Sequence, residues 1–303
     1  MDGKLGVAIV WCGLMGRRRT QALKVSPQTK LVAAVDADFK KAESFAREFR
    51  CEPSGNWRKT ILRPDVNIVI VSTPNYLLSP ITCAALKAGK HVLMEKPMGR
   101  SFKEAQIICR AAQNSRGKLK VGFNHRYLPA VQKAHELFTK GVIGKCINIR
   151  AEYGHGGRPG YEKEWRCNRK LSGGGELMDQ GVLLVDFVHW FAAQPNRVAD
   201  SLQTSYWKIA PCEDNATALF EYARGYSARL HASWTHWKNE FLFDIFGTDG
   251  FLSVNGLGGS YGKSSLTVGL RKNSGGAPAL QKMSFAGWEE SLRREWLDFV
   301  SGI

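Results

Sequence analysis

The fold is decided by the segment VAIVWCGLMGRRRTQAL, residues 7–23, which is followed by VAAVDAD, residues 32–38. The first segment joins an apolar run, a glycine-containing turn and a helical pattern, which is the strand–turn–helix unit of a dinucleotide-binding domain. Gly13 and Gly16 fill the second and third glycine positions of the fingerprint, and Asp36 ends the next apolar run. The second glycine lets the pyrophosphate approach the backbone, the third lets the helix pack closely on the strand, and the acidic residue binds the ribose hydroxyls. The pattern therefore predicts a Rossmann domain with a site for a nicotinamide dinucleotide.

The first glycine position of the fingerprint holds Trp11 instead. A bulky residue there is expected to lose the left-handed backbone conformation of the tight turn, and its indole would obstruct the cofactor. Gly13, Leu14 and Met15 open the following helix, whose free N–H groups still favour a pyrophosphate. Asp36 would accept hydrogen bonds from the ribose hydroxyls and repel a 2′-phosphate, so NAD is favoured over NADP. A Rossmann domain with a disabled cofactor site is the alternative.

The character of the chain changes near residue 124. Before it, apolar runs alternate with helical patterns as in a parallel, doubly wound sheet. After it, longer strands rich in aromatic and β-branched residues alternate with glycine-rich connections. We therefore expect an α/β fold, with a Rossmann domain over residues 1–123 and an α+β domain with an open, mainly antiparallel sheet over residues 124–303. Strands are predicted at 6–10, 31–35, 66–72, 91–94, 119–123, 146–153, 216–222, 227–234 and 241–246, and helices at 17–23, 39–49, 80–88, 102–113 and 176–191.

The composition excludes several classes of protein. The 303 residues are 44% hydrophobic and contain no unbroken apolar stretch of membrane-spanning length, and the absence of a signal-peptide pattern predicts a cytoplasmic protein. A net charge of +16 admits anionic partners, but the basic residues are dispersed, so neither nucleic acid nor a membrane is predicted as a partner. The seven cysteines are scattered and form no C-x-x-C pair, which argues against a disulfide framework and a metal site.

Two further segments, TPN (residues 73–75) and MEKP (residues 94–97), place reactive residue types at the carboxyl ends of predicted strands. Open α/β sheets bind ligands at these strand ends. The residues expected to contact the cofactor there are Ser72, Thr73, Pro74, Asn75, Glu95 and Lys96. Lys96 can stabilise charge on a reacting oxygen, and Asp179, near the start of the predicted helix, can accept a hydrogen bond from a substrate hydroxyl. A solvated surface lysine and an aspartate that only favours the helix dipole are the simpler alternatives.

Taken in order, the segments around these residues resemble the glucose-fructose oxidoreductase and inositol dehydrogenase family (Gfo/Idh/MocA) over nearly the whole chain. The segments are VAIVWCGLMGRR, VDAD, VSTPN, AGKHVLMEKP, VGFNHRY and SGGGELMDQG. The resemblance implies NAD(P)-dependent hydride transfer at a carbinol of a sugar, polyol or sugar nucleotide. It implies a second domain used for substrate binding and for homo-oligomer contacts through its sheet. It also implies that Lys96 holds the reacting oxygen and that Asp179 fixes the sugar.

Besides Trp11, two further positions depart from the family pattern. Leu183 stands where a histidine would act as general acid/base, one helical turn after Asp179, and Leu78 stands where a histidine commonly follows the TPN segment. A positioned acid/base contributes about 10²- to 10⁴-fold, so turnover is expected to be impaired unless Lys96 serves alone or His155 enters from its glycine-rich loop. A non-catalytic ligand-binding or scaffold relative and an NAD-dependent glycosidase stay open as alternatives. The helical ending at residues 291–303 is where relatives usually continue, which would fit a truncated chain.

Six further side chains are candidates for the substrate-binding site. Arginines recognise phosphate or carboxylate groups, and aromatic rings stack on sugar faces. The six are Arg126, Tyr153, Arg158, Trp165, Arg166 and Trp234.

Overall fold

The structure is a computed structural model that describes residues 3–303. The chain packs into two units. The described residues up to Phe123, with residues 170–173 and 292–303, form the first unit, and residues 124–169 and 174–291 form the second. The prediction that the second domain runs without interruption from residue 124 to residue 303 is therefore wrong for two segments, because residues 170–173 and 292–303 make their contacts in the first unit.

A six-stranded sheet forms the centre of the first unit. Its strands are β1 (Leu5–Val10), β2 (Thr29–Val35), β3 (Glu52–Ser54), β4 (Ile68–Val71), β5 (His91–Glu95) and β6 (Leu119–Gly122). All neighbouring pairs are parallel, in the order β3-β2-β1-β4-β5-β6. This is the doubly wound order, and its direction reverses between β1 and β4. The carboxyl ends of these two strands therefore mark the expected ligand crevice.

Helices follow the strands of this sheet and cover it. They are α1 (Leu14–Leu23), α2 (Phe39–Phe49), α3 (Trp57–Ile61), α4 (Asn75–Lys87) and α5 (Phe102–Gln113). Residues of β1 and β4 are almost completely buried, as expected for parallel strands covered on both faces. The prediction that a helix starts at residue 80 is wrong, because α4 starts at Asn75 and Pro80 lies inside it.

An eight-stranded sheet forms the centre of the second unit. Its strands are β7 (Cys146–Gly154), β8 (Arg197–Gln203), β9 (Asn215–Glu221), β10 (Ser227–Ser233), β11 (Glu240–Gly247), β12 (Gly250–Asn255), β13 (Ser265–Leu270) and β14 (Ala279–Ser284). Their order is β14-β13-β12-β11-β7-β10-β9-β8, and every pair is antiparallel except β7 with β10. The predicted fold class is confirmed, although β8, β12, β13 and β14 were not predicted.

One face of this sheet is covered by helices. Four α-helices follow β6: α6 (Pro129–Thr139), α7 (Arg169–Ser172), α8 (Val182–Ala192) and α9 (Trp288–Ser301). Most of α7 and most of α9 belong to the first unit. Helix α8 packs on β7 and β10, and α6 packs on β12 and β13. Ala228, Leu230 and Ala232 of β10 are fully buried on the covered face, whereas Arg229 of the same strand is exposed on the other.

A π-helical turn, Leu177–Gly181, runs directly into α8. Such turns are rare and occur frequently at functional sites. At its end, a Cβ on Gly181 would lie 3.3 Å from the Cβ of Ala232 in β10. The helix and the sheet therefore approach closely here, and the residues of the turn are held in a fixed position relative to β10.

Candidate active site

The turn between β1 and α1 keeps a left-handed backbone although its first position is not glycine. Trp11 has a φ of 88°, so the expectation that a bulky residue would lose this conformation is wrong. A non-glycine residue in this region is strained by about 1–2 kcal/mol. Two hydrogen bonds hold it there: the Trp11 N–H donates to the Val35 carbonyl at 2.7 Å, and the Ser72 hydroxyl donates to the Trp11 carbonyl at 3.1 Å.

The indole of Trp11 lies beside Gly13. Its Cδ1 and Nε1 atoms are each 3.1 Å from the place that a Cβ on Gly13 would occupy. Gly13 caps α1 without any side-chain hydrogen bond, so the first N–H groups of the helix remain available to an anion. Gly16 is required for packing, because a Cβ there would lie 2.2 Å from the Trp11 carbonyl oxygen. The start of α1 therefore keeps N–H groups that an anion can reach, and the indole lies beside them.

Asp36 ends β2 next to this turn and is 4% exposed. Its Oδ2 accepts from the Cys12 N–H at 3.0 Å, and its Oδ1 accepts from the Asp38 N–H at 3.0 Å. A carboxylate oxygen can accept two hydrogen bonds, so each oxygen keeps one acceptor position for a ribose hydroxyl.

Burial, with the nearby Asp36 carboxylate, raises the pKa of the Cys12 thiol to about 12, and the thiol is therefore neutral.

The end of β4 supplies a second set of predicted cofactor contacts. The Ser72 hydroxyl bridges the ends of β4 and β1, and the Asn75 Nδ2 donates to the Ser172 carbonyl at 2.8 Å. The Thr73 hydroxyl is buried and has no hydrogen-bond partner among the residues that the structure describes. A buried polar group normally has a partner, so a ligand at this strand end would complete it. Together with Asp36 and the start of α1, these residues fit a dinucleotide.

Two other positions near these strands differ in environment. Leu14, in the first turn of α1, is 65% exposed, which leaves a large apolar side chain uncovered beside the phosphate turn. Leu78, three residues after Asn75, is fully buried in the hydrophobic core of the first unit. The leucine at that position therefore serves core packing.

Glu95 ends β5 and Lys96 follows it, beside a buried charge cluster that the sequence did not reveal. Glu95 accepts a hydrogen bond from the Arg19 Nε at 2.7 Å, and Arg19 also pairs with Glu295 of α9. Arg19 and Glu295 are 2% and 0% exposed. Burial raises the pKa of Glu295, although Arg19 opposes this shift. The Glu95 carboxylate, which was predicted to contact the cofactor, thus forms an ion pair with Arg19. This cluster also holds in place the end of β5, which Lys96 follows.

Asp179 lies in the π-helical turn of the second unit. Its Oδ2 is 3.3 Å from the Arg166 Nε. The start of the helix is capped by another residue, Glu213, whose Oε1 accepts from the N–H groups of Gly175 and Leu177 at 2.9 and 3.0 Å. Asp179 lies in the first turn of this helix, so its carboxylate favours the helix dipole as well as pairing with Arg166.

Proton transfer near Asp179 has few candidate groups. Leu183 is 4% exposed within α8 and carries no proton. The His155 Nδ1 accepts a hydrogen bond from the Gly157 N–H at 2.9 Å, so the ring proton of the neutral form lies on Nε2. Burial lowers the pKa of His155, and the nearby Asp179 carboxylate opposes this shift. His155 is therefore a neutral hydrogen-bond donor at neutral pH and not a free base.

The structure brings three of the predicted substrate-binding residues together. Arg158 pairs with Glu164, the Arg166 Nη1 lies 3.1 Å from the same carboxylate, and the Arg166 guanidinium lies 4.8 Å from the centre of the Trp165 ring. Through Arg166 this group contacts Asp179. It forms a polar surface beside the π-helical turn that can bind hydroxyl groups or an anionic group.

The other three predicted residues have different environments. Trp234 is fully buried in a hydrophobic cluster with Tyr161, so the prediction that its ring stacks on a substrate is wrong. Tyr153 is 7% exposed and contacts the Tyr261 ring edge-on at 5.4 Å, and burial raises its pKa well above the usual value. Arg126 forms a bidentate pair with Asp186 at 2.7 and 2.5 Å, which neutralises its charge.

Several residues near Asp179 escaped the sequence analysis. The Gln180 Nε2, in the π-helical turn, donates to the Tyr261 hydroxyl at 3.2 Å, and Glu176 at the start of this helix is fully buried. The glycine-rich segment around Tyr261 was the available signal for that residue. No sequence signal indicated Glu213, because a loop carboxylate that caps a helix distant in sequence has no spacing pattern.

Two kinds of feature are absent from residues 3–303. No group of three or more histidine, cysteine, aspartate or glutamate side chains is arranged to hold a metal ion. No helix in that range is long and apolar enough to cross a membrane.

Comparison with known proteins assigns both parts of the chain. Residues 5–123 match the model of the oxidoreductase family with an NAD-binding Rossmann fold, and residues 131–253 match the GFO/IDH/MocA C-terminal domain. Levoglucosan dehydrogenase of Pseudarthrobacter phenanthrenivorans is 27% identical over 83% of this chain and 73% of its own length. Glucose-6-phosphate 3-dehydrogenase of Bacillus subtilis is 28% identical over 73% of this chain and 63% of its own length.

A solved structure agrees with these matches at the level of the fold. Levoglucosan dehydrogenase in complex with NADH and levoglucosan superposes with a TM-score of 0.88 and 23% identity, covering 98% of this chain and 89% of that one. The two family models assign the chain to one family. The doubly wound sheet and the turn between β1 and α1 are consistent with that assignment. The chain belongs to the Gfo/Idh/MocA family of NAD(P)-dependent oxidoreductases.

Proposed function

We propose that the protein transfers hydride between NAD and a carbinol carbon of a sugar, polyol or sugar nucleotide, at a rate limited by the missing histidine. The observation that carries this proposal is the dinucleotide turn, which keeps Trp11 at a φ of 88° with Gly13 and Gly16 in their positions. The turn would not need to hold a strained residue if it only connected a strand to a helix. The similarity to two sugar dehydrogenases supports the substrate class.

The first unit supplies the residues that would hold the cofactor. The start of α1 would bind the pyrophosphate, Asp36 the ribose hydroxyls, and Thr73 a group at the end of β4. When bound, the nicotinamide accepts or supplies the hydride. Asp36 favours NAD over NADP, because a buried carboxylate repels a 2′-phosphate.

Lys96 and Asp179 would carry the substrate side of the reaction. Lys96 would donate a hydrogen bond to the reacting oxygen and stabilise the negative charge that develops on it. Asp179 would accept a hydrogen bond from a neighbouring hydroxyl, with its carboxylate held in place by Arg166. Because Leu183 cannot transfer a proton and the His155 Nδ1 already accepts from Gly157, Lys96 is the group left to move the proton.

The buried Leu183 and the indole of Trp11 favour one second candidate, a relative that binds its ligands without turning them over. The NAD-dependent glycosidase alternative has less support, because it also requires a proton-transferring group near the sugar.

Two further properties are part of the proposal. Exposed apolar residues such as Leu219 and Phe246, which are each 38% exposed on strands of the second unit, support a homo-oligomer formed through this sheet. All seven cysteines are free thiols, which a reducing compartment such as the cytoplasm maintains.

The first experiment measures NADH and NADPH binding by isothermal titration calorimetry and then turnover on levoglucosan, glucose 6-phosphate and inositols. We expect saturable NADH binding, weaker NADPH binding and slow turnover of at least one sugar. Lys96→Met should reduce kcat at least ~100-fold with little change in the Kd for NADH. Lys103→Met, which removes an exposed lysine from α5, is the matched control. NADH binding without turnover would select the second candidate, and the absence of saturable NADH binding would refute the proposed hydride transfer.

A further inference from the structure

A cavity of about 870 Å³ opens in the second unit at the carboxyl end of α8. Its walls include Phe138 of α6, Trp190 of α8 and the turn between β9 and β10. Its volume falls within the range of small-molecule sites. The cavity is separate from the polar group around Asp179, because Trp190 lies eleven residues further along the chain, roughly 16 Å of helix.

Flat aromatic rings form rigid walls of this cavity. Tyr222 and Tyr226 stack with ring centres 4.4 Å apart and planes inclined by 14°. The Tyr226 hydroxyl donates to the Ala192 carbonyl at 2.8 Å, which fixes the β9–β10 turn to the end of α8. Trp190 is held by a parallel stack on His135 at 4.0 Å. Walls that are already fixed lose little conformational entropy when a flat ligand binds between them.

The charged groups of the cavity, Lys145 and Arg224, are both basic. Lys145, His189 and Arg224 line it, and no aspartate or glutamate is among the lining residues. The side chains of Lys145 and Arg224 are exposed at the rim. A concave surface with one sign of charge attracts the opposite charge more strongly than a flat one. The cavity therefore favours an anion.

Two details of the walls are unusual for a surface that only packs the fold. Ala193 has a φ of 63° and a ψ of −150°, a region that only glycine adopts readily, and strain of this kind is concentrated at ligand-binding sites. The Tyr222 hydroxyl is buried and has no hydrogen-bond partner within residues 3–303. Burial raises the pKa of Tyr222 to about 12, so the hydroxyl remains a neutral group that can still donate a hydrogen bond.

We propose that this cavity binds a small organic anion with a flat aromatic body, such as an aromatic carboxylate or sulfonate. The ring would lie against Trp190 and the tyrosine stack, and the anionic group would lie at the rim beside Lys145 and Arg224. The site is independent of turnover at Asp179, and its test needs no substrate and no turnover.

The probe is the fluorescent anion 1-anilinonaphthalene-8-sulfonate, titrated into the full chain with excess NAD⁺ present so that dye does not occupy the dinucleotide site. Its uncharged analogue N-phenyl-1-naphthylamine is titrated in parallel. Lys145→Ala/Arg224→Ala should weaken binding of the anion about tenfold and leave the neutral analogue nearly unchanged. Arg58→Ala/Lys59→Ala removes two exposed positive charges from α3 of the first unit and should change neither affinity.

A second variant tests the cavity without changing charge. Ala223→Trp places a large side chain in the lining and should weaken both dyes, while raised salt should weaken only the anion. Equal losses in the two double variants would show non-specific attraction to a basic protein and overturn the proposal. Unchanged affinity of both dyes in Ala223→Trp would also overturn it, because the probe would then lie elsewhere.

Discussion

Replacing Trp11 separates the two effects that its side chain and backbone have on the dinucleotide turn. Trp11→Ala removes the indole beside Gly13 but keeps a Cβ at a φ of 88°. Trp11→Gly removes both. If the indole must leave its contacts before a pyrophosphate reaches the start of α1, this displacement opposes binding by about 1.4 kcal/mol, which is tenfold in Kd. Both variants should therefore bind NADH about tenfold more tightly than the parent chain.

The two variants should differ in stability. Glycine relieves the left-handed strain and alanine does not, so Trp11→Gly should be about 1 kcal/mol more stable than Trp11→Ala, equivalent to ~2–4 °C in Tm. Calorimetric titration with NADH measures the affinity without using tryptophan fluorescence, and thermal unfolding measures the stability. Trp57→Ala, which removes a half-buried indole from α3, is the control for the affinity. Weaker NADH binding by both Trp11 variants would refute the obstruction and show that the indole helps to hold the cofactor.

Three further substitutions test the remaining groups. Leu183→His should raise kcat by about 10²- to 10⁴-fold and add a limb near neutral pH to the rate profile, and Leu183→Gln should not; equal rates for the two variants contradict a lost acid/base. Arg19→Met should destabilise the chain by about 3–5 kcal/mol in urea unfolding, because it leaves the buried Glu295 uncompensated; a loss below 1 kcal/mol contradicts this. Asp214→Asn should cost about 1–3 kcal/mol at neutral pH, since its carboxylate accepts from the N–H groups of residues 205–207.

The acid dependence of the Asp214 effect has a definite sign. Burial raises its pKa, but the hydrogen bonds from three backbone N–H groups and from Asn215 outweigh burial and lower the pKa below 3.8. A carboxyl with a lowered pKa stabilises the folded state fully above the unfolded pKa, and this stabilisation is lost as pH falls through the folded pKa. The stability of the parent chain should therefore fall more steeply below pH 4 than that of Asp214→Asn. Parallel acid curves would contradict this account.

The sequence predicted those elements whose signals are local. Helices α2 and α5 have the bounds that were predicted. In the structure, Asp38 and Ser101 cap them and accept hydrogen bonds from the first turn, which is a local signal. Strand β8 was missed because all seven of its residues are exposed and show no alternation. Strand β3 has only three residues. A strand whose residues show no alternation of buried and exposed positions has no pattern in the sequence. Only its pairing with a neighbouring strand defines it.

The candidate site was predicted where a motif carries it and missed where distant residues meet. The positions of Gly13, Gly16 and Asp36 followed from a fingerprint of fixed spacing. The pairing of Arg19 with Glu295 joins residues 276 positions apart, and in sequence Arg19 was one of three consecutive arginines. Trp234 looked suited to sugar stacking, but the packing of Tyr161 against it buries the ring.

The three departures from the family pattern are physically different, and the difference bears on function. Leu78 and Leu183 are buried apolar side chains that improve packing where a histidine would need a polar partner. Trp11 differs from these two leucines, because its backbone is strained. Hydrogen bonds to Val35 and Ser72 hold it in this conformation. Strain persists only where the surrounding structure enforces it. The residues around Trp11 thus still enforce the turn geometry that a dinucleotide site needs. At position 183, by contrast, a buried leucine stands in place of the histidine that would transfer a proton. Cofactor binding should therefore survive in this chain to a greater degree than turnover.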